Sequence, residues 1–398
     1  MQRFTIRTGF FPTMLAAALC ATSIAPARAA EVKVGIIASL TGPYNLWGKE
    51  YKEGIDLFLD SVGGKAGNNT LTMIYRDVGG QNPPRSRQLA QELILRDHVA
   101  ILGGHELTPN VLAVKDVINQ AKIPFVIFNT GTANVTDQSP YFVRPTYTNW
   151  ANYYPLGQYA GIKGLKKCVA VAADYAPGQD SVVAVTKGFE SKGGQVVAKI
   201  MVPLDATDFS SYLQRIRDAS PECTFVFMPL GPISTAFVKA YLDRGLLKDG
   251  IKFFGQSETN ESDIPAIGEA GLGMMTAMPY TPSLDTPANK TFIESFKKKY
   301  GADRNPSNIT LVAYDAMHVI AKMAASIDGT PDGQKEVDAV KGYAWESPRG
   351  PVSIDPQTRE LTENIYIREL VKENGVIYNK VIYTFKDQKE PWHATGKP

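Results

Sequence analysis

The residues best suited to chemistry in this sequence are hydroxyls, amides and glycines rather than nucleophiles or metal ligands. Thr108-Pro109 opens a stretch of helical spacing, with Thr at the N-cap and Pro at the first helical position. As a cap, Thr108 only satisfies a backbone N–H. A helix start also offers unpaired N–H groups and the positive end of the dipole, so the same place suits a ligand carboxylate. The two uses are compatible. Asn129-Thr130-Gly131-Thr132 adds amide, hydroxyl and backbone donors, and in its plain reading is an ordinary Thr/Gly loop. Trp47, just before Gly48, is either a core staple or a wall that stacks on the apolar body of a ligand. Tyr147, Trp150, Tyr153 and Tyr154 form an aromatic cluster read mainly as buried packing.

Signatures of catalysis are missing. There is no phosphate loop, no dinucleotide-binding glycine pattern between a first strand and its helix, no nucleophile elbow and no zinc-protease motif. His98, His105, His318 and His393 are scattered, which supports neither a metal site nor a histidine-based triad. His105-Glu106 falls near the expected cleft and can titrate, which alone is weak ground for catalysis. No metal and no cofactor are expected.

The elements must position these loops. The chain has 398 residues, enough for two or three domains at about 150 residues each. Its 44% hydrophobic content excludes disorder as the main state, and 42 basic against 40 acidic residues leave no excess for binding nucleic acid. Arg3 and Arg7, the apolar stretch Phe10 to Ala21 and Ala27-Arg28-Ala29 have the layout of a secretory signal peptide over residues 1–29. Cys20 follows Leu19 where a lipoprotein would want a small residue. Residues 1–29 hold three arginines and no acid, so their removal takes the formal charge from +2 to −1. A soluble, exported protein is expected.

From Glu31, short β-rich runs alternate with amphipathic segments. Val32–Ser39, Leu71–Arg76, Val99–Leu102 and Phe125–Phe128 read as strands; Leu46–Val62, Pro84–Asp97 and Pro109–Ala121 read as helices. The pattern restarts with strands at Cys168–Ala173, Val196–Val202, Thr224–Met228 and Lys252–Phe254. Helices are expected at Ser181–Lys192, Phe209–Ala219, Ile233–Arg244, Asn289–Tyr300 and Asn308–Ser326. Ile365–Val371 and Val376–Phe385 flank a hairpin turn, and Trp392 to Pro398 reads as a loose tail. This predicts an α/β protein of two doubly wound parallel-sheet lobes. A chain that crosses between the lobes more than once balances them better, and candidate crossings lie near Thr146–Asn149, Ala277–Pro279 and Tyr343–Gly350. The first lobe is then 30–147 plus 279–345, and the second 148–278 plus 346–398. Ligands of open α/β sheets bind beyond the carboxyl ends of the strands, here in the cleft between the lobes. The loops there are Thr41 to Trp47, Gly103 to Thr108, Asn129 to Thr132, Asp174 to Gly178, Pro229 to Pro232 and Gln256 to Glu258.

Several segments also occur in a familiar order: Val34-Gly35-Ile36 before Thr41-Gly42-Pro43 and Trp47-Gly48; Ala121-Lys122-Ile123-Pro124 before Asn129-Thr130-Gly131-Thr132; Tyr141-Phe142-Val143-Arg144; Asp174-Tyr175-Ala176-Pro177-Gly178; and Gly268-Glu269-Ala270 before Gly273. In these the chain resembles the periplasmic branched-chain amino-acid-binding family, the type I solute-binding proteins of ABC importers. The resemblance implies two lobes, three crossings and no enzymatic step. By position, Trp47 matches the family's side-chain-contacting tryptophan and Thr108 a hydroxyl residue holding the ligand carboxylate. Thr130, Gly131 and Thr132 match the segment that contacts both main-chain groups of an amino acid. Pro177 replaces the family's tyrosine, with Tyr175 two places away, and a second tyrosine position falls on Leu230. The acid that pairs with the ligand ammonium falls on Ser257, with Glu258 next to it.

An amino acid's ammonium needs a fixed acceptor, because an unpaired buried charge is costly. With Ser257 in the cleft that acceptor is gone, and a carboxylate without an ammonium, aromatic in preference, fits better. With Glu258 in the cleft the branched-chain amino-acid reading returns. An exported α/β hydrolase is the alternative outside this class. The expected partners are a small carboxylate and the membrane permease of an ABC importer; the expected state is a periplasmic monomer that works by hinge closure. Cys168 and Cys223 begin the first and third strands of the second lobe, neighbours in the order 2-1-3. A disulfide and two buried thiols both remain open there.

Overall fold

The computed structural model describes residues 1–5, 9 and 30–396. Most of the expected signal peptide, and its cleavage site after Ala29, lie outside the described residues. In the first lobe, β1 (Glu31–Ala38), β2 (Lys65–Ala66), β3 (Asn69–Asp77), β4 (Ile101–Gly104), β5 (Phe125–Ile127) and β6 (Phe142–Val143) form one sheet in the order β2-β3-β1-β4-β5-β6. Its crossover helices are α1 (Asn45–Val62), α2 (Pro83–Leu95) and α3 (Thr108–Ala121). The second lobe follows with α4 (Asn149–Ile162), β7 (Lys167–Ala173), α5 (Ala176–Glu190), β8 (Gln195–Val202), α6 (Ser210–Asp218), β9 (Cys223–Phe227), α7 (Pro232–Asp243), β10 (Lys252–Gly255), α8 (Ile264–Ile267) and β11 (Met275–Met278). Then come α9 (Pro287–Tyr300), α10 (Asn308–Ala325), α11 (Gln334–Asp338), β12 (Ala344–Ser347), β13 (Gly350–Ile354), β14 (Leu361–Glu373) and β15 (Val376–Gln388). The second sheet runs β12-β13-β14-β11-β10-β9-β7-β8, with β15 paired on β14.

Alternation along each strand feeds two cores. Val34 and Ile36 of β1 pack against α1 and α10, whereas Ile37 packs against α2 and α3. Such double burial is what continuous Val/Ile runs in a parallel sheet require. Hydroxyl and amide caps start the helices: Thr148 accepts from the Ala151 N–H at 2.9 Å, and Ser307 from the Ile309 N–H at 3.0 Å. The β14–β15 turn places Asn374 and Gly375 at φ 51° and 81°, the paired positive values of a tight primed turn.

The lobes exchange chain three times. Tyr147 packs in the first core and Trp150 in the second; Ala277 packs in the second and Met278 in the first. The third passage is later than Tyr343–Gly350. Trp345, Val352, Ile354 and Leu361 still belong to the first core, and Ile365 and Ile367 to the second, so the chain changes lobe within β14. The reason is packing: Trp345 is buried, and its indole N–H donates to Asp315 of α10 at 2.9 Å. Helix α4 has no amphipathic stripe to announce it, because it is buried on nearly every side and carries Pro155. Residues 390–393 are not a loose tail. Glu390 is buried and accepts a hydrogen bond from Thr148, Trp392 packs on the second core, and His393 meets Glu360 at 3.3 Å.

Cys168 and Cys223 are register partners on β7 and β9, and they form a disulfide with 4.7 Å between Cα atoms. That separation lies within the ordinary disulfide range. The protein lacking residues 1–29, denatured without reductant, is therefore expected to show no titratable thiol. Reduction should lower its stability by about 2–4 kcal/mol, because the bridge closes a long loop in the unfolded chain. Two thiols per unreduced chain would contradict the bond.

Candidate functional site

The first lobe presents three loops at the carboxyl ends of β1, β4 and β5. The loop after β1 is organised by Asp77, whose carboxylate accepts from the Leu40 N–H at 2.8 Å, the Thr41 hydroxyl at 2.6 Å and the Gly79 N–H at 2.9 Å. Burial pushes this carboxyl up, but those hydrogen bonds outweigh it and hold it below its ordinary range. Gly42 sits there at φ 77°, and a Cβ would come within 2.8 Å of the Gly79 carbonyl oxygen. The loop delivers Tyr44 and Trp47 into the cleft. Trp47 packs edge-on to Tyr51, and its indole N–H donates across the cleft to the Leu230 carbonyl at 3.4 Å.

After β4, Leu107 rather than Thr108 is the N-cap of α3, and no side chain caps this helix. Thr108 lies inside the first turn with Pro109 second, a place proline tolerates because the first-turn N–H groups have no helical partner. The Thr108 hydroxyl meets the Thr132 hydroxyl at 3.1 Å instead. Glu106, 3% exposed, lines the cleft. Its Oε1 accepts from Ser39, whereas Oε2 is buried without a partner. Burial pushes the Glu106 carboxyl up to about 7 and the neighbouring His105 imidazole down to about 3, so the histidine is neutral.

The loop after β5 is held from behind by Arg144, which is fully buried just past β6. Its guanidinium donates to the Thr130 hydroxyl at 3.1 Å, to the Ala133 carbonyl at 2.6 Å and to the Thr132 carbonyl, and it pairs with Glu360. Thr130 therefore faces Arg144. Asn129 donates to the Glu106 carbonyl at 3.3 Å and leaves its own Oδ1 unpartnered. Gly131 lies against Pro177 and Asn149.

The second lobe closes the cleft with Tyr175, Pro177, Phe227, Pro229, Leu230, Gln256 and Ser257. Tyr175 is the N-cap of α5 and stacks on Phe227 with centroids 6.1 Å apart. Leu230 reaches into the first lobe's core. Glu258 turns the other way: its oxygens accept from the Met228 N–H at 2.9 Å and the Gln256 N–H at 2.6 Å. Burial raises this carboxyl to about 7.

The cleft has a cavity volume of about 40 Å³, above the roughly 10–15 Å³ that a single water needs. Of the residues expected from sequence, Trp47, Thr108, Asn129, Gly131, Tyr175, Pro177, Leu230 and Ser257 line it; Thr130, Thr132 and Glu258 stand behind it. Sequence reasoning missed Tyr44, Asn149, Phe227 and Gln256 as lining residues and gave Tyr147 to packing alone. Tyr44 and Gln256 lie within strand-end loops already placed at the cleft and were only not singled out; Phe227 ends the strand before one of those loops, and Asn149 begins α4 at the first crossing. Among the described residues no cluster of metal-ligating side chains occurs, and no helix is long and apolar enough to cross a membrane.

The model of the periplasmic binding protein family matches residues 31–375, the span that builds both lobes and the cleft. The chain belongs to this family. It is 42% identical over 380 residues to a Leu/Ile/Val-binding protein homolog 6 of Brucella melitensis biotype 1, covering 95% of this chain and 97% of that one. A solute-binding protein of an ABC transporter from R. palustris, in complex with 4-hydroxybenzoate, shares the fold with a TM-score of 0.88 and 40% identity, covering 92% of this chain and all (100%) of that one. Another from Rhodopseudomonas palustris BisB5, in complex with 3,4-dihydroxybenzoic acid, has a TM-score of 0.86 and 36% identity, covering 91% and 99%. This periplasmic binding protein is thus the solute-binding component of an ABC importer, and it works with a membrane permease. Its relatives are transport proteins, not enzymes.

Proposed function

We propose that the protein, exported and acting as a monomer, captures an aromatic carboxylate between its lobes and delivers it to the permease by hinge closure. The observation that carries this reading is the orientation of Glu258. Both its oxygens are taken by backbone N–H groups, and Ser257 stands at the cleft in its place. A ligand ammonium then has no fixed anionic partner on the second lobe, and burying it unpaired is costly. The walls favour a flat body: Tyr44, Trp47, Tyr147, Tyr175 and Phe227 all line the space. The uncapped start of α3, with Thr108 and Gly131 beside it, receives the carboxylate. Bridging both lobes, the ligand draws the hinge toward the closed form by its higher affinity for that form.

The amino-acid reading needs an ionised partner, and Glu106 is the one carboxyl left among the cleft-lining residues. A thermal-shift screen separates the two readings. An aromatic acid at about 100 times its dissociation constant should add about 2.7 kcal/mol of stability, with no effect of leucine or valine. Stabilisation by leucine or valine and none by benzoate or its hydroxy derivatives would reject the aromatic ligand.

A further inference from the structure

We propose that the free carboxyl oxygen of Glu106 is the partner of a hydroxyl on the ligand's ring, so that the cleft selects a hydroxylated aromatic acid over the bare one. This rests on the aromatic-acid reading above. Glu106 is a cleft-lining residue with one oxygen satisfied by Ser39 and the other buried without a partner. A hidden carboxyl oxygen left unpaired carries a desolvation penalty, so the protein gains when the ligand supplies a donor there. The place of that oxygen fits the far end of an aromatic acid. Strand β4 lies between β1 and β5. Glu106 leans to the β1 side, where it meets Ser39, and Thr108 leans to the β5 side, where it meets Thr132. The carboxylate and the ring substituent are thereby received on opposite flanks of one strand.

Chemistry limits the substituent. A second carboxylate is repelled by like charge whenever Glu106 is ionised. A hydroxyl suits both protonation states of the glutamate: it donates to the free oxygen when the carboxyl is ionised, and its own oxygen accepts when that oxygen carries the proton. The carboxyl's position near neutrality, set by burial with Asp77 adding in the same direction, agrees with a group not committed to a permanent ion pair.

The test is calorimetric titration of the protein lacking residues 1–29 with benzoate, 3-hydroxybenzoate, 4-hydroxybenzoate and 4-methoxybenzoate. One of the hydroxybenzoates should bind at least about tenfold more tightly than benzoate, the equivalent of 1.4 kcal/mol, and methylation should remove a 4-hydroxyl preference. Glu106→Leu should bring the ratio of the hydroxybenzoate and benzoate dissociation constants to within about threefold of one. Glu106→Gln, which keeps the size and serves if the leucine variant does not fold, should cut that ratio at least about threefold. The ratio is the readout, so general weakening cancels. Equal binding of benzoate and both hydroxybenzoates by the wild type overturns this proposal and leaves the aromatic-acid reading standing. An undiminished preference in the folded variants overturns the assignment to Glu106. Binding of none of the four compounds overturns the aromatic-acid reading and this proposal with it.

Discussion

Replacing Arg144 with methionine is expected to cost about 3–5 kcal/mol of stability and to remove tight ligand binding altogether. Arg144 never touches the cleft, yet it fixes the loop that does. Its guanidinium holds the Thr130 hydroxyl and the carbonyls of Thr130, Thr132 and Ala133 from behind, so the Thr130–Ala133 backbone has one geometry. The same group neutralises Glu360, which is 2% exposed and takes further hydrogen bonds from Thr136 and His393. Methionine fills much of the space but leaves Glu360 buried with its main counter-charge gone and several carbonyls unpaired, which is the expensive way to break a buried pair. Burial pushes the Glu360 carboxyl up, but Arg144 and His393 outweigh it and hold it below the ordinary value. A depressed folded-state value means a contribution present above the unfolded carboxylate range and lost as pH falls through the folded one. The wild type should therefore shed this stability on acidification, and the variant should lack it at neutral pH already. Urea midpoints and calorimetric titration check both halves. A shift under about 1 kcal/mol with wild-type affinity would show that the loop is held by something other than Arg144.

The role of Arg144 marks where sequence reading stops. Strands such as Glu31–Ala38 and Cys223–Phe227 are legible because they are short Val/Ile/Phe runs bounded by turn residues, and the loops that follow them locate the cleft. Trp47, Gly131 and Ser257 could be placed because each lies at a strand end or in its loop. What sequence cannot give is direction. Thr130 and Gly131 are neighbours, but one faces a buried arginine and the other faces Pro177 across the cleft. Ser257 and Glu258 differ by one place, and the choice between them rests on two backbone N–H groups, of Met228 and Gln256, that donate to the Glu258 carboxylate. The third crossing moved for a similar reason: Trp345 finds Asp315 on α10, a contact between residues 30 apart that no local pattern announces. Glu106 was visible as a titratable residue near the site, but its unpartnered oxygen is a property of the packed cleft alone.

Gly131→Ala is expected to weaken ligand binding about 5- to 150-fold while changing the stability of the unliganded protein far less. The argument rests on the space where the lobes meet. Gly131 is not in the left-handed region, so alanine is acceptable to its backbone. The added Cβ, however, would lie 2.9 Å from Cβ of Pro177 and 2.6 Å from Oδ1 of Asn149. Pro177 is in the first turn of α5, whose next residue, Gly178, packs so tightly on β7 that a Cβ there would sit 1.8 Å from the Ala173 carbonyl oxygen. That turn cannot withdraw. Asn149 is equally held, donating to the Pro177 carbonyl at 2.9 Å and to the Ser181 hydroxyl at 2.7 Å. The methyl group is therefore accommodated chiefly by parting the lobes, and overpacking of this kind costs about 1–3 kcal/mol, the stated range of affinity. Because the penalty falls on the closed form, a ligand must spend part of its binding energy restoring closure. The variant should bind a smaller acid with less loss than a larger one only if the methyl group intrudes on the ligand itself; equal losses across a series of acids mark an effect on closure. Wild-type affinity for every acid would mean that Gly131 and Pro177 do not approach in the ligand-bound state.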